Sequence, residues 1–305
     1  MQPQINRRPQ WHGRKKALGR MFLAALVVLG GLAASYSALP KAGFYSVFRE
    51  VNKHSIALQT KNWNSLRGSN FEIRYKPQDA AIAGLVLETA EQSVVPVNEM
   101  LGYTPQGSQG RMLVLVYPTR EEMGKSFGWT GDQSAMGVYW AGIIRVLSPA
   151  AWIEGASYGE MENEFRSSGP MAHEYTHLVV DYITRGNYPR WLTEGIAQYV
   201  EREVTGFSFS DSLASPEDGW FSLRELEQNF DTTEGQAKAY RQSLAMMDYL
   251  EEEYGQGTFA GILKGLGKGQ SLNKAWKEQT GTSLEEFEED FQGWSRNHPS
   301  YSQAL

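Results

Sequence analysis

The chain has 305 residues, 41% of them hydrophobic and 12% aromatic, which is enough to bury a core and excludes disorder throughout. It has no cysteine, which excludes a disulfide scaffold, a thiolate metal site and a cysteine nucleophile. The formal net charge of -6 is unevenly placed: Arg7, Arg8, Arg14, Lys15, Lys16 and Arg20 crowd the first twenty residues without an Asp or Glu, and the remainder is acidic. An acidic body argues against a nucleic-acid partner.

Residues 21–40, MFLAALVVLGGLAASYSALP, carry no charge. About 20 apolar residues span a hydrocarbon core. The basic cluster ahead of the run predicts a cytoplasmic segment over 1–20, a single-pass transmembrane helix over 21–40 and an extracytoplasmic location for everything after Pro40. A cleaved signal peptide and a secreted product form the other reading, because small residues follow at Ala33, Ala34, Ser35 and Ser37. Residues 41–67 make a juxtamembrane linker. Phe44, Val47, Phe48 and Val51 fall there at helical spacing, which suits either a helix packed on the domain or one lying on the membrane surface.

The main domain is expected over 68–300. Phe71–Tyr75 alternates like a strand. A helix is expected over 80–101, kinked at Pro96 and ended by Gly102. Arg111–Tyr117 reads as a buried strand stopped by Pro118, and Gly137–Leu147 as a strand region or hairpin pivoting near Ala141-Gly142. After Pro149 the pattern is helical, with helices at about 160–185, 190–202, 222–230, 236–254, 257–266, 271–279 and 283–296. Ser283 and Glu286 make a capping box for the last. Strands first and helices after predict an α+β fold: a small mixed sheet in the N-terminal half and a helical C-terminal half. The glycines of 261–269 follow no strand and read as an ordinary helix-end turn.

His173-Glu174-Tyr175-Thr176-His177 is H-E-x-x-H. Residues i and i+4 of a helix lie about 40° apart around its axis, so both imidazoles project from one face. That spacing lets two histidines hold one Zn²⁺, and Glu174 beside the first can serve as general base without binding the metal. The other histidines, at 12, 54 and 298, are remote in sequence, so the third ligand is expected to be a carboxylate. Glu194, in Pro189-Arg-Trp-Leu-Thr-Glu-Gly-Ile-Ala-Gln-Tyr-Val-Glu201, returns to the metal if the chain reverses at Arg185-Gly186-Asn187. Asp181 and Glu201 are rivals, although both suit a hydrogen-bonding partner of a ligand or a solvated side chain better.

HEYTH followed by WLTEGIAQYVE resembles the gluzincins, zinc peptidases that include thermolysin and aminopeptidase N, and more closely the bacterial peptidase MA-like proteins. The resemblance runs from about Phe71 to Trp294. It implies a compact zincin-like (gluzincin) fold, zinc held by His173, His177 and Glu194, and Glu174 as base. The stretch from Lys238 to Leu250 resembles the helix of aminopeptidase N-like enzymes that carries a catalytic tyrosine, which places Tyr240 as oxyanion donor; Tyr249 is the alternative. The family's Lys-Gly after that tyrosine is Gln242-Ser243 here. Gluzincins also present an edge strand to their substrate. Gly137–Leu147 resembles it, with Tyr139 and Trp140 expected to line the cleft. The aminopeptidase G-A-M-E-N signature survives only in part, as Ser134-Ala-Met-Gly137, without its carboxylate; this favours an endopeptidase.

The sequence therefore predicts a membrane-anchored, extracytoplasmic zinc metallopeptidase acting on peptides or proteins. Two rivals keep part of this reading. One is a tethered, non-catalytic binding or envelope-assembly protein with a structural zinc. The other is a hydrolase of non-peptide amides that uses the same site.

Overall fold

The computed structural model describes residues 41–105, 110–128, 135–153, 155, 157–208, 219–232, 235–298 and 300–301. The basic segment 1–20 and the predicted span 21–40 lie outside them. Among the described residues no helix is long and apolar enough to cross a membrane.

A five-stranded sheet forms from β1 (Asn64–Arg67), β2 (Phe71–Tyr75), β3 (Met112–Tyr117), β4 (Gly137–Trp140) and β5 (Ile143–Leu147), in the order β1-β2-β3-β5-β4. β2, β3 and β5 run parallel, and the two edges, β1 and β4, pair antiparallel. The β4–β5 turn is the expected hairpin. Ala141 and Gly142 both take positive φ, 44° and 88°, the two-residue turn whose twist matches its strands.

Residue alternation divides the sheet between two cores. Ile73, Val114, Val116, Ile144 and Val146 face α2 (Ala83–Met100) and α5 (Met171–Thr184). Leu113, Leu115, Tyr117, Ile143 and Leu147 face α3 (Arg120–Phe127) and the end of α1 (Lys41–Gln59). Central parallel strands are thus covered on both faces, which is why β3 and β5 read as near-continuous apolar runs.

The helical half follows: α4 (Tyr158–Ser168), α5, α6 (Arg190–Thr205), α7 (Leu223–Asn229), α8 (Gln236–Tyr254), α9 (Thr258–Gly267), α10 (Leu272–Thr280) and α11 (Leu284–Asn297). The Ser283–Glu286 capping box is present. One expectation is corrected. The helix predicted over 160–185 is two helices, broken at Gly169-Pro170. A residue before proline is pushed to extended backbone, and Gly169 sits at φ -75°, ψ 153°. Proline's missing N–H costs nothing at a helix start, so α5 begins directly after Pro170. The helix expected from residue 80 starts at Ala83 and continues through Pro96 to Met100.

Candidate metal centre

α5 is buried along most of its length. Its end reverses through Arg185 and Gly186, both at positive φ, and Asn187 fixes the turn by donating to the carbonyls of Leu266 and Gln270. α6 then runs back alongside α5. α6 also lies hard against α8, because Gly195 leaves no room for a Cβ: one built there would meet the Ser243 carbonyl oxygen and lie 2.9 Å from Met247 Cγ. Three helices thereby converge on one point.

At that point His173, His177 and Glu194 come together, with a ligand atom from each within 4.8 Å of the others. The two Nε2 atoms are 3.1 Å apart, and each is 3.4 Å from a Glu194 oxygen. Both Nδ1 atoms are engaged elsewhere. That of His173 lies 3.0 Å from Glu201 Oε2, and that of His177 2.7 Å from Thr193 Oγ1. Assigning the ring protons to these outer partners leaves an Nε2 lone pair on each ring turned inward beside a carboxylate. Three inward acceptors with fixed outer hydrogen bonds make a donor set suited to a divalent cation.

The shifts of Glu194 and His177 agree with this, whereas that of His173 means that a cation must displace its ring proton. Burial would raise the Glu194 carboxyl, but His177 and Arg190, whose Nη1 is 2.7 Å away, hold it well below the ordinary carboxylate range. Burial lowers His177 and would lower His173 as well, but Glu201 and Glu194 pull His173 well above the usual imidazole value.

Glu174 stays out of this group. It lines a cavity of about 400 Å³ with His173, Met136, Gly137, Gln198 and Tyr240. Its Oε2 accepts the backbone N–H of Tyr139 at 2.5 Å. Burial raises its carboxyl to about 7, against the pull of His173, which is close to the value that favours proton transfer near neutral pH. Tyr240 lines the same cavity, and its phenol is raised mainly by burial and then by Glu194. Tyr249, the alternative, is 5% exposed and packs among Phe287, Phe291 and Trp294, away from the cavity.

Three placements differ from expectation. β4 is the edge strand, while β5 is central. Tyr139 and Trp140 do not line the cavity; Ala135, Met136 and Gly137 do. The Tyr139 hydroxyl instead donates to Asp181, and Trp140 packs on Phe48. Asp181 is neither beside a ligand nor solvated. It is wholly buried, 3.4 Å from Arg49 Nη1 of α1, and also bonded by Tyr45. Glu201 is the partner of His173 that its spacing allowed. Sequence reasoning missed Thr193 and Arg190. Both sit within four residues of Glu194, and Arg190 at i-4 was the available signal.

A mixed α+β fold that sets an H-E-x-x-H helix against a glutamate of the following helix defines a candidate metal centre. Residues 149–297 match the model of the Peptidase MA superfamily, so the resemblance read from HEYTH and WLTEGIAQYVE holds across the helical half. The uncharacterized protein YhcO of Bacillus subtilis (strain 168) is 23% identical over 294 residues, 91% of this chain and 85% of YhcO. Among solved structures, aminopeptidase A of Legionella pneumophila, crystallised with aspartic acid, aligns at TM-score 0.43 and 13% identity. The alignment covers 75% of this chain and 27% of that enzyme.

Proposed function

We propose that the chain is a zinc metallopeptidase of compact gluzincin fold, acting as an endopeptidase, anchored by residues 21–40 with its catalytic domain outside the cytoplasm. The observation that carries this reading is the His173–His177–Glu194 group, whose His173 lines one cavity together with the buried Glu174 that stands outside the group. A merely structural metal has no need of a base there.

His173, His177 and Glu194 would hold the zinc, which when bound polarises the scissile carbonyl and acidifies water. Glu201 and Thr193 orient the two imidazoles. Glu174 takes a proton on its carboxylate from the attacking water and delivers it to the departing amine nitrogen. The Tyr240 hydroxyl donates to the oxygen on which negative charge develops. Gly137, turned away from β5 at the sheet edge, offers main chain to an extended peptide.

One zinc per chain is expected by elemental analysis of the purified protein, and Glu194→Ala should strip it, because two histidines alone hold a catalytic zinc weakly. Full occupancy in that variant moves the third ligand elsewhere. Gly137→Ala tests the seat of the base. A Cβ there would lie 2.7 Å from Glu174 Cγ and Oε1 and from Pro170 Cβ. Peptide turnover should fall about 10²-fold with zinc retained, the usual consequence of a base misplaced by about 1 Å. Unchanged turnover would mean that this contact does not set Glu174.

The topology has its own check. A protease added to intact cells should digest the part after Pro40 and spare an N-terminal tag. A wholly protected chain overturns the extracytoplasmic assignment.

A further inference from the structure

Helix α1 has two unlike sides. Arg49, Asn52 and Lys53 face the domain, donating to the Asp181 carbonyl, the Ala141 carbonyl and the Tyr182 hydroxyl. On the opposite side Phe44, Val47, Phe48, Val51 and Leu58 are 39–64% exposed. At 3.6 residues per turn these five fall in one stripe about 100° wide. Single exposed apolar residues need no explanation, but a stripe that runs through Phe44, Val47, Phe48 and Val51 and resumes past His54 and Ser55 at Leu58 does. It extends beyond α1, since Trp140 at the end of β4 is 47% exposed and meets Phe48 edge-on at 5.6 Å.

The chain just upstream limits what can cover the stripe. The uncharged run of residues 21–40 stops at Pro40, four residues before Phe44. Four residues reach about 14 Å at most, so an anchor ending at Pro40 starts α1 within the headgroup layer. The geometry points to one occupant, the bilayer surface: α1 lies in the membrane interface with its stripe and Trp140 turned to the acyl chains. An amphipathic helix in that layer buries its apolar face about 5–10 Å deep, and tryptophan favours the same depth.

This inference rests on reading 21–40 as an anchor, and it deepens the proposed function. Gly137 lies three residues along β4 from Trp140, about 10 Å. The cavity is therefore held close to the lipid. Its substrates are extended, membrane-proximal stretches of membrane-attached proteins rather than freely diffusing peptides.

Because the chain has no cysteine, a single introduced one can be labelled alone. The full chain is reconstituted in vesicles of phosphatidylethanolamine and phosphatidylglycerol, with an environment-sensitive fluorophore at Val47→Cys, Val51→Cys or Leu58→Cys. Each label should shift to the blue and be quenched by brominated acyl chains, while one at Lys274→Cys, on the surface of α10, stays aqueous. Val28→Cys reports the anchor in the same vesicles. Quenching at Val28 with aqueous emission at Val47 and Val51 overturns the proposal and leaves the anchor standing. Aqueous emission at Val28 overturns both. A blue shift at Val47 without quenching by brominated chains means that a second copy covers the stripe, and also overturns it.

Discussion

Glu174→Gln is expected to keep one zinc per chain and the native fold, while peptide hydrolysis falls by about 10²–10⁴-fold, the range for loss of a general base. Glutamine has the same shape and its amide oxygen still accepts the Tyr139 N–H, but it takes up no proton. Tyr240→Phe should lower turnover by about 10²–10³-fold, the usual effect of one oxyanion donor, and leave KM nearly unchanged. Full activity in Glu174→Gln at measured zinc stoichiometry would falsify the assignment of the base. A zinc-replete native protein that cleaves no peptide, with a Glu174→Gln variant that keeps the cellular role, makes the tethered binding protein the better account.

The second large effect is on stability. Asp181 has 0% exposure and Arg49 7%, and the carboxylate also takes the hydroxyls of Tyr139 and Tyr45. Removing one member of a buried ion pair leaves the other charged and desolvated, at about 3–5 kcal/mol. Asp181→Ala should therefore lower Tm by roughly 10 °C. Replacing both charges should recover part of that loss, because apolar residues of similar size often substitute for a buried pair without penalty. Thermal unfolding of Asp181→Ala, Arg49→Met and the Arg49→Met/Asp181→Leu double variant reads this directly. Two single variants as stable as the native protein would mean that water reaches the pair.

The helical half was legible because its signals are local. H-E-x-x-H is a spacing within one helix, the reversal after it is marked by Gly186, the residue type that accepts positive φ, and Ser283–Glu286 caps within one turn. The strand β2 was legible by its alternation and β3 as an apolar run, but their order was not, since parallel neighbours are joined through distant crossovers. β1 escaped because all four of its residues are exposed and show no alternation. α3 escaped because it is short and polar apart from Met123 and Phe127; its marks are the Thr119 cap and Gly128 at the end. Around the site, the side chains could be named and the main chain could not. The hold of Tyr139 N–H on Glu174 joins residues 35 apart through a group every residue but proline possesses. Asp181 was misplaced for a related reason: its partner Arg49 lies 132 residues away, on a helix whose other side drew the eye with its apolar spacing.

The seat of Glu174 has a consequence for inhibitors. Just before β4 the Met136 carbonyl accepts from the Leu147 N–H, and within β4 the Tyr139 N–H points outward, so Gly137 and Tyr139 are the residues whose main chain turns from the sheet. An extended ligand aligned on this edge pairs with Gly137 without disturbing the acid. One long enough to claim the next N–H evicts Glu174 from its perch. Main-chain mimics of growing length should thus pass through an optimum. Beyond it, each tighter grip on the strand unseats the group that a transition-state mimic needs, and the most extended compounds should behave as simple occluders of the groove.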